Sequence, residues 1–138
     1  MYRQIGKTIT ILRKITEDIE KKNIKLLIAG GRDFSDYERL KQYMDKLRKK
    51  YIIDEIVCGM ARGADMLGYK YAIENNIKVI EFPADWDKYG KRAGYLRNYD
   101  MGKYCDNGFI FWNKSSKGTK HMIDIMNKLN KKIVILYY

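Results

Sequence analysis

Ile56-Val57-Cys58-Gly59-Met60-Ala61-Arg62-Gly63-Ala64-Asp65 runs from an apolar segment through two glycines into the start of a helical pattern. A short β-branched run closed by such a turn reads as a buried strand feeding a helix, the repeating unit of a parallel α/β fold. The turn also has the chemistry of an anion site. Glycines let backbone N–H groups approach a phosphate, the following helix presents its positive end, and Arg62 can add a guanidinium contact. The same residues equally suit a tight turn with a surface arginine, because glycine-rich strand-to-helix turns are common in α/β proteins. The remainder of the chain has to decide between the two.

Outward from this turn the pattern repeats. Residues 24–29 read as a first strand and residues 77–82 as a third, with residues 55–58 between them as the second. Residues 108–112 and 132–136 complete a five-stranded parallel sheet. Helices are expected between the strands, on both faces of the sheet, as in Rossmann-like folds. The first follows a capping box, Ser35-Asp36-Tyr37-Glu38, and carries an apolar face of Tyr37, Leu40, Met44, Leu47 and Tyr51. The others are expected near 62–75, 93–104 and 118–130, with Ala64, Leu67 and Tyr71, then Met122, Ile125 and Leu129, turned inward. Asn113 to Lys117 reads as a polar loop. The only proline, Pro83, ends the third strand and opens a polar, glycine-containing segment through Gly94 that does not suit a core. Residues 1–22 stand outside the alternation as an N-terminal amphipathic extension, with Ile5, Ile9, Leu12, Ile15 and Ile19 on one helical stripe, and residues 23–138 form the domain. Thr8 to Ile11 also fits a short strand. The stripe needs a partner surface, either its own sheet or a second copy of the chain, which makes a homo-oligomer an expectation.

The 138 residues suit one domain with an ordinary core. A formal charge of +11 favours an anionic partner, but the lysines and arginines are scattered, which fits a solvated surface better than a nucleic-acid face. Cys58 and Cys105 are far apart and have no ligand-type neighbours, so neither a disulfide nor a metal site is expected. No apolar run approaches the roughly 18 residues of a membrane span, and no secretory signal is evident, so a cytoplasmic protein without membrane partners is expected. His121, the single histidine, has no partner at ligand spacing.

In an open parallel sheet the ligand sits beyond the carboxyl ends of the strands. Four loops should gather there: Gly30-Gly31-Arg32-Asp33-Phe34, Gly59 to Asp65, Trp86 to Arg92, and Asn113-Lys114-Ser115-Ser116-Lys117-Gly118-Thr119. Gly30, Gly31, Gly59 and Gly63 permit close backbone approach. Arg32, Arg62, Arg92 and Arg97 can neutralise more than one phosphate. Trp86 and Tyr89 can cover a base, and Ser115, Ser116 and Thr119 can donate to phosphate or ribose. Each has a plainer role as well: Asp33 and Asp65 as helix caps or arginine partners, the two aromatics as lid packing, the hydroxyls as N-caps. Neither a Walker loop nor a spaced dinucleotide fingerprint is present, so ATP hydrolysis and hydride transfer have no support and no cofactor is expected.

These loops together, with Phe82-Pro83-Ala84-Asp85-Trp86, Tyr89-Gly90-Lys91, Ala93-Gly94 and Arg97-Asn98, resemble the YspA-like branch of the SLOG superfamily, which also holds the LOG phosphoribohydrolases and Smf/DprA. The resemblance covers residues 24–136. It implies a Rossmann-like fold and a nucleotide-type ligand at the glycine-rich loops, so that Phe34, Asn98, Lys114 and Gly118 join the expected binding residues. LOG enzymes cleave the N-glycosidic bond of nucleoside monophosphates with the glutamate of a Gly-Thr-x-x-Glu loop. Here Gly118-Thr119 is followed by Lys120-His121-Met122, so methionine stands where that carboxylate should be. The departure argues against catalysis unless Asp33, Asp65 or Asp85 substitutes. Smf/DprA proteins bind single-stranded DNA, but this chain shows no evident track for successive bases. SLOG domains also recognise nucleotide-derived signals in prokaryotic conflict systems. Binding without turnover, by a sensor or by a sponge of phage origin, is the expectation the residues carry.

Overall fold

The computed structural model describes Leu12 and residues 21–138. Five strands, β1 (Lys22–Gly30), β2 (Tyr51–Cys58), β3 (Lys78–Glu81), β4 (Asn107–Trp112) and β5 (Lys132–Tyr137), form one sheet in the order β3-β2-β1-β4-β5. Every pairing is parallel. Between them lie α1 (Tyr37–Leu47), α2 (Ala64–Glu74), the single turn α3 (Trp86–Tyr89) with a 3-10 turn at Gly90–Arg92, then α4 (Ala93–Tyr104) and α5 (Lys117–Lys128). The expected Rossmann-like α/β architecture is the one observed. The amphipathic stripe read over residues 1–22 lies, apart from Leu12, outside the described residues before 21.

β1 is central and buried on both faces, which explains its nearly unbroken apolar sequence. Leu26 and Ile28 point into a core shared with Leu40 and Met44 of α1 and Ala64, Tyr71 and Ala72 of α2. Leu27 and Ala29 point the other way, against Met101 of α4 and Met122, Ile123 and Met126 of α5. Helices thus cover both faces. Each fully buried side chain of this size contributes about 1.5–3 kcal/mol of transfer free energy. The edge strands carry the cost of exposure differently: β3 is only four residues long, and β5 opens on the exposed Lys132.

Two local readings shift. β2 begins at Tyr51, four residues before the expected start, because the register with β1 slips between Ile24 and Lys25 and leaves Asp54 unpaired. This bulge turns Ile53 and Ile56, three residues apart, onto the same face, which hides the period of two. It also moves Tyr51 out of the preceding helix. That helix starts one residue late for the Ser35 capping box: Asp36 is the N-cap, accepting from the Arg39 amide at 3.1 Å, and Glu38 pairs instead with Lys41.

Candidate functional site

The chain leaves β1 toward β2 and returns on the opposite side of β1 as β4, so the loops after β1 and β4 diverge and open a crevice at the carboxyl edge. A cleft of about 380 Å³ lies there. The Gly30–Asp33 backbone forms one wall, and Ser116, Gly118 and Thr119 at the start of α5 form the other. Ala29, Met101 and Met122 make an apolar floor. Asp65, Arg97 and Asn98 close the inner end.

The turn after β2 explains how that end is built. Met60 adopts φ 60° and Gly63 φ 77°, two left-handed steps that fold the turn back on itself. A Cβ at position 63 would collide with the Gly31 carbonyl and the Arg32 backbone, so glycine is required for the β1 and β2 turns to touch. The Ala64 amide then donates to the Gly31 carbonyl at 3.3 Å. At Gly59 a Cβ would lie 2.5 Å from Nη1 of Arg97 and 3.1 Å from Oδ2 of Asp65. Only the bare glycine lets this charged pair close over the turn.

Arg97 comes from α4, not from any of the turns. Its Nη1 donates to the Gly59 carbonyl at 2.7 Å and its Nε to Oδ1 of Asn98 at 3.1 Å. Burial lowers its proton affinity, Asp65 opposes that shift, and the neighbouring Arg32 adds to it. Two guanidiniums within electrostatic reach that both line the cleft form a positive focus that a phosphate would relieve. Asp65, only 5 % exposed, accepts from the Ala61 amide at 3.3 Å. Burial pushes its carboxyl up to about 6, with the Ala61 amide and Arg97 pulling the other way. Asn98 is buried and also meets Nδ1 of His121 at 3.2 Å, while the Tyr95 ring stands edge-on to the histidine at 4.5 Å. His121 therefore braces a cleft residue from α5.

Several expected binding residues lie elsewhere. Phe34 is core, stacked on Phe111 at a centroid separation of 4.1 Å. Arg62 is exposed and lines neither the cleft nor the smaller cavity beside it; it sits in the turn between Met60 and Gly63, both at positive φ. Gly63 acts through the backbone contact just described. Tyr89 and Arg92 are exposed beyond the cleft, and Ser115 is held in a turn by the Asn113 side chain, which accepts its amide at 2.8 Å. Lys114, at φ 69°, reaches back over the Tyr137 ring. Ser116 does both jobs: it lines the cleft and caps α5, accepting from the Thr119 amide at 3.3 Å and its hydroxyl at 2.9 Å. Gly59 and Trp86 line a second cavity of about 220 Å³ beside the first.

Other contributors were not among the expected binding residues. Met122, expected to face inward and standing at the expected acid position, packs in the core with Met101, and both also floor the cleft. Tyr138 donates to Oδ1 of Asp33 at 2.5 Å, sets its ring against Phe34, and receives help from Asn113, which donates to Oδ2 at 3.4 Å. The Tyr138 hydrogen bond holds the Asp33 carboxyl below its ordinary range. No group of three or more His, Cys, Asp or Glu that could hold a metal exists among the described residues. Both cysteines are buried thiols pushed up to about 11, mainly by burial.

A family model for the YspA, cpYpsA-related SLOG family matches residues 24–89, from β1 through α3. Those residues carry the sequence pattern of the SLOG superfamily. Among solved structures, the chain is similar to the X-ray structure of DNA processing protein A (DprA) from Streptococcus pneumoniae, with a TM-score of 0.66 and 16% sequence identity. The likeness covers 80% of this chain and 49% of that one, so the chain spans about half the length of this structural neighbour. At that identity it is a likeness of fold. No curated protein matches the chain. No helix among the described residues is long and apolar enough to cross a membrane.

Proposed function

We propose that this chain binds a phosphate-bearing nucleotide derivative in the switch-point cleft and does not turn it over. The observation that carries the reading is the Arg32–Arg97 focus beside the Gly30–Gly31 backbone and the Thr119 hydroxyl, over a floor where Met122 replaces an acid. The guanidiniums supply affinity for phosphate, and the methionines supply an apolar seat for a sugar or base. Binding without chemistry suits a cytoplasmic sensor or a sequestering sponge for a signalling nucleotide, cyclic or of ADP-ribose type, including one made by a phage against host defence. A homo-oligomer belongs to the same reading, drawn from the apolar periodicity of the N-terminal sequence.

Mass spectrometry of small molecules released by heating the purified protein tests the proposal. An unaltered nucleotide is expected. A ligand at a hundred times its dissociation constant should stabilise the fold by about 2.7 kcal/mol in thermal unfolding. Recovery of free base and ribose phosphate would instead establish the alternative, a nucleotide N-glycosidase. That second reading is favoured by Asp65, a buried carboxylic acid at the cleft wall that stays protonated up to about pH 6 and so has a proton to give a leaving group. A third, single-stranded DNA binding of the Smf/DprA type, draws on the family and on exposed Trp86, Tyr89 and Tyr99 with Lys88 and Lys103 over the tyrosine rings. It requires an affinity that falls steeply with salt.

A further inference from the structure

A second cavity lies beside the cleft. It shares three lining residues with it, Arg32, Ala61 and Arg97, and is lined further by Pro83, Ala84 and Trp86. Each compartment has an apolar wall of its own, Met101 and Met122 in the first and Pro83 with Trp86 in the second. The positive charge lies at the junction and not at either end.

Trp86 is poised for this arrangement. Its six-membered ring rests on Gly94, where a Cβ would stand only 3.3 Å away, so the first turn of α4 gives the indole a seat. The side chain is nevertheless 54 % exposed, unusual for a tryptophan with packing on one side. Its free surface borders the second cavity.

Resting on the nucleotide reading above, we infer that the two cavities form one site for a ligand whose phosphate or pyrophosphate lies in its middle, joining two ring-bearing halves. One half sits over Met101 and Met122, the linking phosphate between Arg32 and Arg97, and the second half beneath Trp86. The ligand class is a dinucleotide or a nucleoside diphosphate joined to a second sugar. A nucleoside monophosphate fills only half of the site.

Calorimetric titration of the full chain with AMP and with ADP-ribose tests the inference, using Trp86→Ala to remove one wall and Ala84→Leu to fill the cavity. ADP-ribose is expected to bind at least tenfold more tightly than AMP and to change the Trp86 fluorescence. Both variants should bring ADP-ribose down to the affinity of AMP and leave AMP unchanged. Equal affinities in the parent protein, or variants that weaken both compounds alike, would overturn the two-compartment site while leaving nucleotide binding intact. Binding of neither compound would sink the nucleotide reading itself, and this one with it.

Discussion

Arg97 and Asp65 carry opposite charges into nearly the same space, and the balance between them sets what the cleft can hold. Arg97 donates to the Gly59 and Phe82 carbonyls and to Asn98, which orients its guanidinium and leaves its remaining donors for a ligand. Arg97→Ala should therefore weaken nucleotide binding by about 1.5–3 kcal/mol, the range for hydrogen bonds to charged groups, while Arg62→Ala leaves the calorimetric affinity unchanged. Equal losses would restore Arg62 as a ligand contact. Asp65 makes a pH-dependent prediction. Its carboxyl is raised from 3.8 to about 6 in the folded chain, so the native state holds its proton longer than the unfolded state does. As pH rises from 4 to 6 the unfolded chain loses that proton first, and folding stability falls through this window. Asp65→Asn removes the effect: it should become more stable than the parent as pH rises through 4 to 6, by on the order of 3 kcal/mol at neutral pH. Parallel stability curves for the two proteins would show that Asp65 titrates normally.

At the level of elements, the start of α2 shows how a turn becomes a wall. Gly63 is its N-cap with no side-chain cap, at a backbone conformation open to glycine and pressed against the β1 turn. Gly63→Ala should cost at least about 1–3 kcal/mol in chemical denaturation and separate the two turns. A near-neutral change would mean that the turns relax apart without consequence. The β1 turn is fixed from its other side by Tyr138, just past the end of β5, a contact between residues 105 positions apart. Tyr138→Phe keeps the ring against Phe34 and loses only the hydroxyl. The Asp33 carboxyl should then titrate at higher pH than in the parent, read by side-chain NMR, and the Gly31–Asp33 amides should exchange faster. The sequence held both ends of this contact, but nothing local linked them, since a tyrosine after an edge strand has no pattern of its own.

Across the whole molecule, the α/β alternation was legible because it rests on short-range periodicity. α4 occupies the expected 93–104, and α1, α2 and α5 agree with expectation to within two residues at most ends. The readings that slipped did so where a local rule met a tertiary one. Asp54 broke the strand period because β2 had to stay in register with β1, and Phe34, which looked like loop, was taken by the core because Phe111 and Tyr138 offered it apolar surface. Of the candidate site, Gly30 to Asp33, Asp65, Arg97, Asn98, Ser116, Gly118 and Thr119 were named from sequence and do meet at one cleft. By itself the sequence determined the elements, the loops rich in glycine, arginine and hydroxyls, and the methionine at position 122, since each depends only on residues close along the chain. Which arginine faces the cleft, and that the cleft opens beside Trp86, were decided by tertiary structure. The strand order brings α4 beside the β2 turn, where Arg62 is left exposed outside the cleft while Arg97 fills the space that Gly59 leaves.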